Sequence, residues 1–182
     1  VAGKPYTALV QELVLEPLGM GRTTFDPLVA LTYPLALGHD LDPEGGTLHV
    51  QHRFLDDVAN YPAGLAISTV LDMAQFAIMQ MSEGCYQGAP ILTPTSVAEM
   101  QRPQVSMYTP GDRGYGLTFG SSTYKGVRRV GHGGGIGSFG ALFDMVPQRQ
   151  VGVIVVHNRL APEFQAGRIV TQIFDQLLDL PA

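Results

Sequence analysis

The chain is 182 residues long, enough for one domain that buries roughly 70% of the surface of its unfolded chain. It carries 11 Lys and Arg against 16 Asp and Glu, a net charge of −5, and its arginines are scattered apart from Arg128-Arg129, which excludes the basic footprint of a nucleic-acid partner. No apolar run reaches the roughly 18 residues of a transmembrane helix, and the opening, with Lys4 and Glu12 in an amphipathic pattern, does not read as a signal peptide, so no membrane span is expected.

Pro5 suits the first position of a helix, and Tyr6, Leu9, Val10, Leu13 and Val14 follow at the spacing of one buried face. That helix is expected to stop at Glu16-Pro17. Residues 26–63 carry His39, His49 and His52 with little periodicity and read as a long excursion of short irregular elements, a kind of loop that tends to be functional. His49 and His52 would share a face if helical, yet Gly45-Gly46 and the lack of a third ligand make them surface residues, and no metal site is expected.

Thr69 and Asp72 have the spacing of a capping box, opening a helix whose inner face is Met73, Phe76, Ala77 and Met81 and whose stop is Gly84. Cys85 stands alone just beyond, so no internal disulfide forms. Thr93-Pro94 opens a third helix that ends near Arg102-Pro103. Residues 115–119, 127–130, 139–146 and 151–157 are β-branched or aromatic runs separated by turn residues, and read as strands. A last helix, opened by Pro162, carries Ile169, Val170, Ile173, Phe174, Leu177 and Leu178 as an apolar stripe that must cover a sheet. Helices over about 1–110, then an antiparallel meander and a closing helix over about 111–182, make the chain α+β.

The run Gly131-His132-Gly133-Gly134-Gly135-Ile136-Gly137-Ser138-Phe139 reads as a loop after a strand, where glycine lets backbone amides approach a reacting atom and serve as an oxyanion hole. Gly135-x-Gly137-x-x-Gly140 has dinucleotide-binding spacing, but a strand follows where a helix is required. His132-Gly133-Gly134-Gly135 also spells the oxyanion string of α/β-hydrolase lipases, but no G-x-S-x-G elbow follows. The only Ser-x-x-Lys is Ser122-Thr123-Tyr124-Lys125. It lies between predicted strands, which makes Ser122 a turn residue.

Several landmarks occur in an order seen in one family. They are Pro17-Leu18-Gly19-Met20 with Thr23-Thr24, Ala36-Leu37-Gly38-His39, Pro62-Ala63-Gly64-Leu65, Ser68-Thr69 with Asp72, Tyr115-Gly116-Leu117, the His-Gly-Gly-Gly run, Pro147 and Val155-Val156-His157-Asn158. The chain resembles the serine β-lactamase family of class C type, which also holds D-alanyl-D-alanine carboxypeptidases, D-aminopeptidases and family VIII-type esterases. The resemblance covers nearly the whole chain. It implies a β-lactamase/transpeptidase-like fold, an antiparallel sheet with flanking helices, of which residues 1–182 form the C-terminal part of a single domain.

By that resemblance His132-Gly133-Gly134 corresponds to the family's third active-site motif. The first motif, Ser-x-x-Lys, supplies nucleophile and base, and the second, Tyr-x-Asn, shares the acid-base work. Tyr-x-Asn is absent from these residues, and Ser122 is in the wrong place. The resemblance implies catalytic roles for Gly135, as an oxyanion donor, and His132, beside the tyrosine-lysine pair, with Gly133 and Gly134 on the substrate side. Gly133 departs from the usual threonine, which favours an ester or amide over a β-lactam. It also implies a small-molecule ester, amide or β-lactam substrate, no cofactor, pairing with a missing N-terminal half or self-association, and a periplasmic or secreted location. The isolated chain is expected to be inactive; the competing reading is a non-catalytic binding or assembly module on the same fold.

Overall fold

The first helix does not stop at Pro17. In the computed structural model, which describes residues 2–42, 44, 46–107, 112–160 and 165–178, α1 (Tyr6–Val10) passes through a π-helical turn (Gln11–Leu15) into α2 (Glu16–Leu18). An interior proline clashes with the carbonyl four residues back, and the wider turn ahead of Pro17 relieves it; Gly19, at φ 68, closes the helix. The extra residue rotates the inner face. Leu15 and Leu18 are buried while Leu13, expected inside, is 59% exposed. Pro5 is the N-cap, one residue before the position expected for it.

The excursion holds α3 (Pro27–Ala30), capped by Asp26, a hairpin of β1 (Gly38–Leu41) and β2 (Leu48–Gln51), and a 3-10 turn (Val58–Asn60). A bridge between Thr24 and Ile67 closes its ends. His49 lies in an extended strand opposite Asp40 and His52 just past the strand's end, so the two imidazoles do not share a helical face. Among the described residues no group of three or more His, Cys, Asp or Glu could hold a metal.

α4 (Val70–Met81) begins as its sequence requires, with the Thr69 hydroxyl oxygen accepting the Asp72 N–H at 3.1 Å. The Asp72 carboxylate in turn accepts the Arg22 N–H at 2.8 Å and the Thr23 hydroxyl at 2.7 Å, tying the helix start to the end of the first helix. Gly84, at φ 91, ends the segment. β3 (Cys85–Tyr86) and β4 (Ala89–Pro90) form a short ladder, and α5 (Pro94–Gln101) is capped by Thr93.

β5 (Val105–Ser106), β6 (Arg113–Tyr115), β7 (Gly120–Tyr124), β8 (Val127–Ile136), β9 (Phe139–Val146) and β10 (Val151–His157) make one antiparallel sheet in chain order. The strand expected over 115–119 ends instead at Tyr115. Thr118 takes φ 75 and the Gly116 N–H donates to the Phe119 carbonyl at 2.7 Å, so the apolar run there is a tight turn that drops Phe119 into the core. Ser122, expected in a turn, is a strand residue of β7.

Side chains alternate across the sheet. Val130, Phe143 and Met145 pack with Ala77 and Phe119 on one face, beneath α4. Val146 and Val153 pack with Val170, Phe174 and Leu178 on the other, beneath α6 (Ala166–Leu177). Burying each large apolar side chain contributes roughly 1.5–3 kcal/mol, which fixes the register of β8 between these layers. Leu177, expected in the inner stripe, is 63% exposed because it lies round the helix from Phe174 and Leu178. Pro162, the expected opener, lies outside the described residues.

Candidate active site

The Gly-His-Gly-Gly-Gly run is a strand, not a loop. It is the second half of β8, with His132 opposite Phe143, Gly133 opposite Leu142, Gly134 opposite Ala141 and Gly135 opposite Gly140. Within the run only Gly137, in the turn, has a positive φ, at 57°. Glycine is a weak strand former, but β9 supplies a continuous partner, and ladder pairing overrides propensity.

The glycines are there for different reasons. A Cβ at Gly131 would collide with the Phe143 carbonyl, so the main chains approach too closely there for any side chain. A Cβ at Gly140 would collide with the His157 imidazole. A Cβ at Gly134 would meet nothing within 4 Å. One at Gly135 would meet Leu160 at 3.0 Å, which places that leucine as a wall beside the strand.

β7 covers only the first half of β8. Their pairing ends at Gly120 and Gly131, and residues 132–136 have no described strand on that side and are all exposed. The four residues singled out from sequence, His132, Gly133, Gly134 and Gly135, are thus contiguous on a strand paired along one edge only. Gly133 and Gly135, two apart, aim their main-chain groups to the same edge. The His132 ring lies 6.0 Å from the Tyr115 ring at 69°, an edge-on contact that limits its orientation. Tyr115 was not legible as a site residue, since 17 positions and two strand crossings separate it from His132.

The excursion supplies the wall at the far end of this edge. Ser138, in the turn between β8 and β9, donates its hydroxyl to Asp40 at 2.5 Å, and a Cβ at Gly38 would lie 2.7 Å from that of Ser138. The His39 N–H donates to the Asn158 carbonyl at 2.8 Å, and the Asn158 amide donates to the Leu37 carbonyl at 2.9 Å. Residues 37–40 are therefore clamped to the β8–β9 turn and to the chain leaving β10.

Among the described residues no base is hydrogen-bonded to the Ser122 hydroxyl. Lys125, three positions on, stands in the β7–β8 turn and is ion-paired to Asp175 at 3.1 Å. Ser122 instead sits opposite Arg113 on β6 and Arg129 on β8. The Arg129 guanidinium donates to the buried Asp144 carboxylate and lies over the rings of Tyr124 and Phe174, each 5.3 Å away. Burial pushes the Asp144 carboxyl above its usual range, and Arg129 opposes that shift.

A half-paired strand edge with close-set amides, a flanking imidazole and a clamped wall can align a carbonyl compound alongside it and receive negative charge on the carbonyl oxygen. The family model described as Beta-lactamase matches residues 1–178. An unguisins hydrolase of Aspergillus violaceofuscus is 28% identical over 205 residues, taking in 100% of this chain and 35% of that protein. The octameric penicillin-binding protein homologue from Pyrococcus abyssi superposes with a TM-score of 0.81 at 25% identity over 96% of this chain and 38% of its own. A class C beta lactamase from Rhodobacter sphaeroides shares the fold, with a TM-score of 0.75 at 18% identity over 97% of this chain and 55% of that one. The chain spans about a third of the length of the curated relatives it matches.

Proposed function

The chain belongs to the beta-lactamase family, and from that premise we propose that it forms the C-terminal part of a serine hydrolase working through an acyl-enzyme on an ester, amide or β-lactam. The observation that carries this reading is the edge of β8 over residues 132–136, exposed and free of a strand partner among the described residues.

In this reading a substrate lies along that edge, and the Gly135 N–H donates to the carbonyl oxygen as negative charge develops there. One such donor is worth about 3 kcal/mol of barrier. Gly134, with open space where a side chain would stand, leaves room for the serine-bearing segment. His132, restrained by Tyr115, faces the acid-base pair, and Gly133 lines the substrate side.

Nucleophile and base come from a segment outside these 182 residues, since Tyr-x-Asn is missing and Ser122 stands between two arginines with its lysine turned to Asp175. Alone, the chain is inactive. Gly133, which offers no hydroxyl to a substrate carboxylate, favours esters and amides over β-lactams. The octameric relative supports self-association.

The test compares p-nitrophenyl acetate and nitrocefin hydrolysis by the 182-residue chain and by the same chain preceded by whatever sequence its gene encodes ahead of Val1. Ester hydrolysis by the longer protein alone, lost on Gly135→Pro, supports the reading. Nitrocefin turnover matching the ester rate overturns the substrate preference, and an upstream sequence without both missing motifs overturns the whole.

A further inference from the structure

On the face of the sheet that α6 covers at β9 and β10, the strands β6, β7 and β8 are left with a trough of about 200 Å³. Its floor is glycine. Gly120 and Gly131 are direct cross-strand partners and Gly133 follows two residues on, so three adjacent positions of this face have no side chain. Its walls are charged. Arg113, Ser122 and Arg129 are consecutive partners across β6, β7 and β8, which sets a hydroxyl between two guanidinium groups on one face.

The two arginines differ. Arg129 is held by Asp144 and by the rings of Tyr124 and Phe174, and presents a fixed planar donor array. The Arg113 guanidinium makes no ion pair or hydrogen bond among the described residues, and neither does the Ser122 hydroxyl. Of the charges nearby, Lys125 is paired with Asp175, and Asp112 lies with Thr123 on the opposite face, accepting that hydroxyl at 2.8 Å. With Asp144 counted against Arg129, the trough carries one uncompensated positive charge in a chain whose net charge is −5.

We propose that this trough binds a small ligand through a single carboxylate, with Arg113 and Ser122 as its donors and the glycine floor as the bed for the atoms next to it. One net positive charge matches one negative charge, and the Asp144 carboxylate at the inner wall disfavours a dianion such as phosphate. The volume is below the roughly 300 Å³ at which drug-sized pockets begin, which suits a short chain end or an acylated amino acid. A guanidinium and a hydroxyl offer the parallel donors that a planar carboxylate takes up. The trough adjoins the candidate active site, sharing Gly133 and His132 with it, but the inference is carried by Arg113 and Ser122 and its test needs no activity.

The protein, with whatever sequence its gene encodes ahead of Val1, is labelled with 15N and titrated with N-acetylglycine while backbone and arginine Nε–Hε resonances are followed. Saturable shifts at Gly120, Gly131 and both arginine side chains are expected, weakened about tenfold in Arg113→Gln and about threefold in Ser122→Ala. Arg113 is exposed, so the variant's unchanged spectrum elsewhere checks its fold. The neutral N-acetylglycinamide should leave the trough resonances in place. Shifts absent at tens of millimolar, equal shifts with the amide, or undiminished affinity in Arg113→Gln overturn the proposal. Inorganic phosphate saturating the site more tightly than N-acetylglycine overturns its carboxylate assignment.

Discussion

Ser138, in the turn that ends the glycine strand, donates its hydroxyl to Asp40, which lies 98 residues earlier on the β1 hairpin. Ser138 is buried while Asp40 faces solvent and can rehydrate, so Ser138→Ala should destabilise the protein by only about 1 kcal/mol. The loss should be local. Hydrogen exchange at residues 38–41 and 48–51 should quicken, while that of β9 and β10 stays unchanged; uniform quickening would mean that the pair supports the whole sheet instead of docking the hairpin.

Two glycines three positions apart should respond oppositely to alanine. At Gly131 the new Cβ meets a main-chain carbonyl, which cannot rotate away, so Gly131→Ala should cost 1–3 kcal/mol or more as the strands separate. At Gly134 it meets nothing, and thermal unfolding of Gly134→Ala should lie within about 0.5 kcal/mol of the parent. Equal effects would contradict the strand pairing described.

The Arg129 and Asp144 pair should behave as a unit. Arg129→Met alone leaves a buried carboxylate without its partner and should cost about 3–5 kcal/mol, whereas Arg129→Met with Asp144→Leu should recover most of that. Denaturant midpoints of the two single variants and the double one measure the coupling. Additive losses would show that the pair is not coupled.

Asp175 should contribute to the acid limb of stability. The Lys125 ammonium holds its carboxyl below the usual carboxylate range, opposed by burial and helped by the Tyr124 hydroxyl. Because the folded value is the lower one, the contribution is present above the ordinary carboxylate range and is lost as pH falls through the folded value. Asp175→Asn should therefore narrow the stability difference between neutral and acid pH. An unchanged urea midpoint profile would remove Lys125 and Tyr124 as the cause.

What was legible in the sequence was local. Thr69 with Asp72 and Thr93 with Pro94 announced α4 and α5 because a cap needs only its own next turn. The His132 to Gly135 stretch was legible as chemistry but not as structure. Glycine carries no strand signal, and the partner that makes it a strand, β9, is visible only once the hairpin has closed. Leu13 was misplaced because a π turn depends on a clash between Pro17 and a carbonyl, which periodicity does not encode. Tyr115 beside His132, and Asp40 beside Ser138, are products of folding across long separations, and no spacing rule reaches them.

The central claim is that these 182 residues supply the oxyanion wall of a serine active site and not its nucleophile. Intact mass of the chain after exposure to a fluorophosphonate probe tests it most directly. The account predicts an unmodified mass, with Ser122, Ser138 and every other serine unlabelled. A single stoichiometric adduct, mapped to Ser122 and lost in Lys125→Ala, would contradict it.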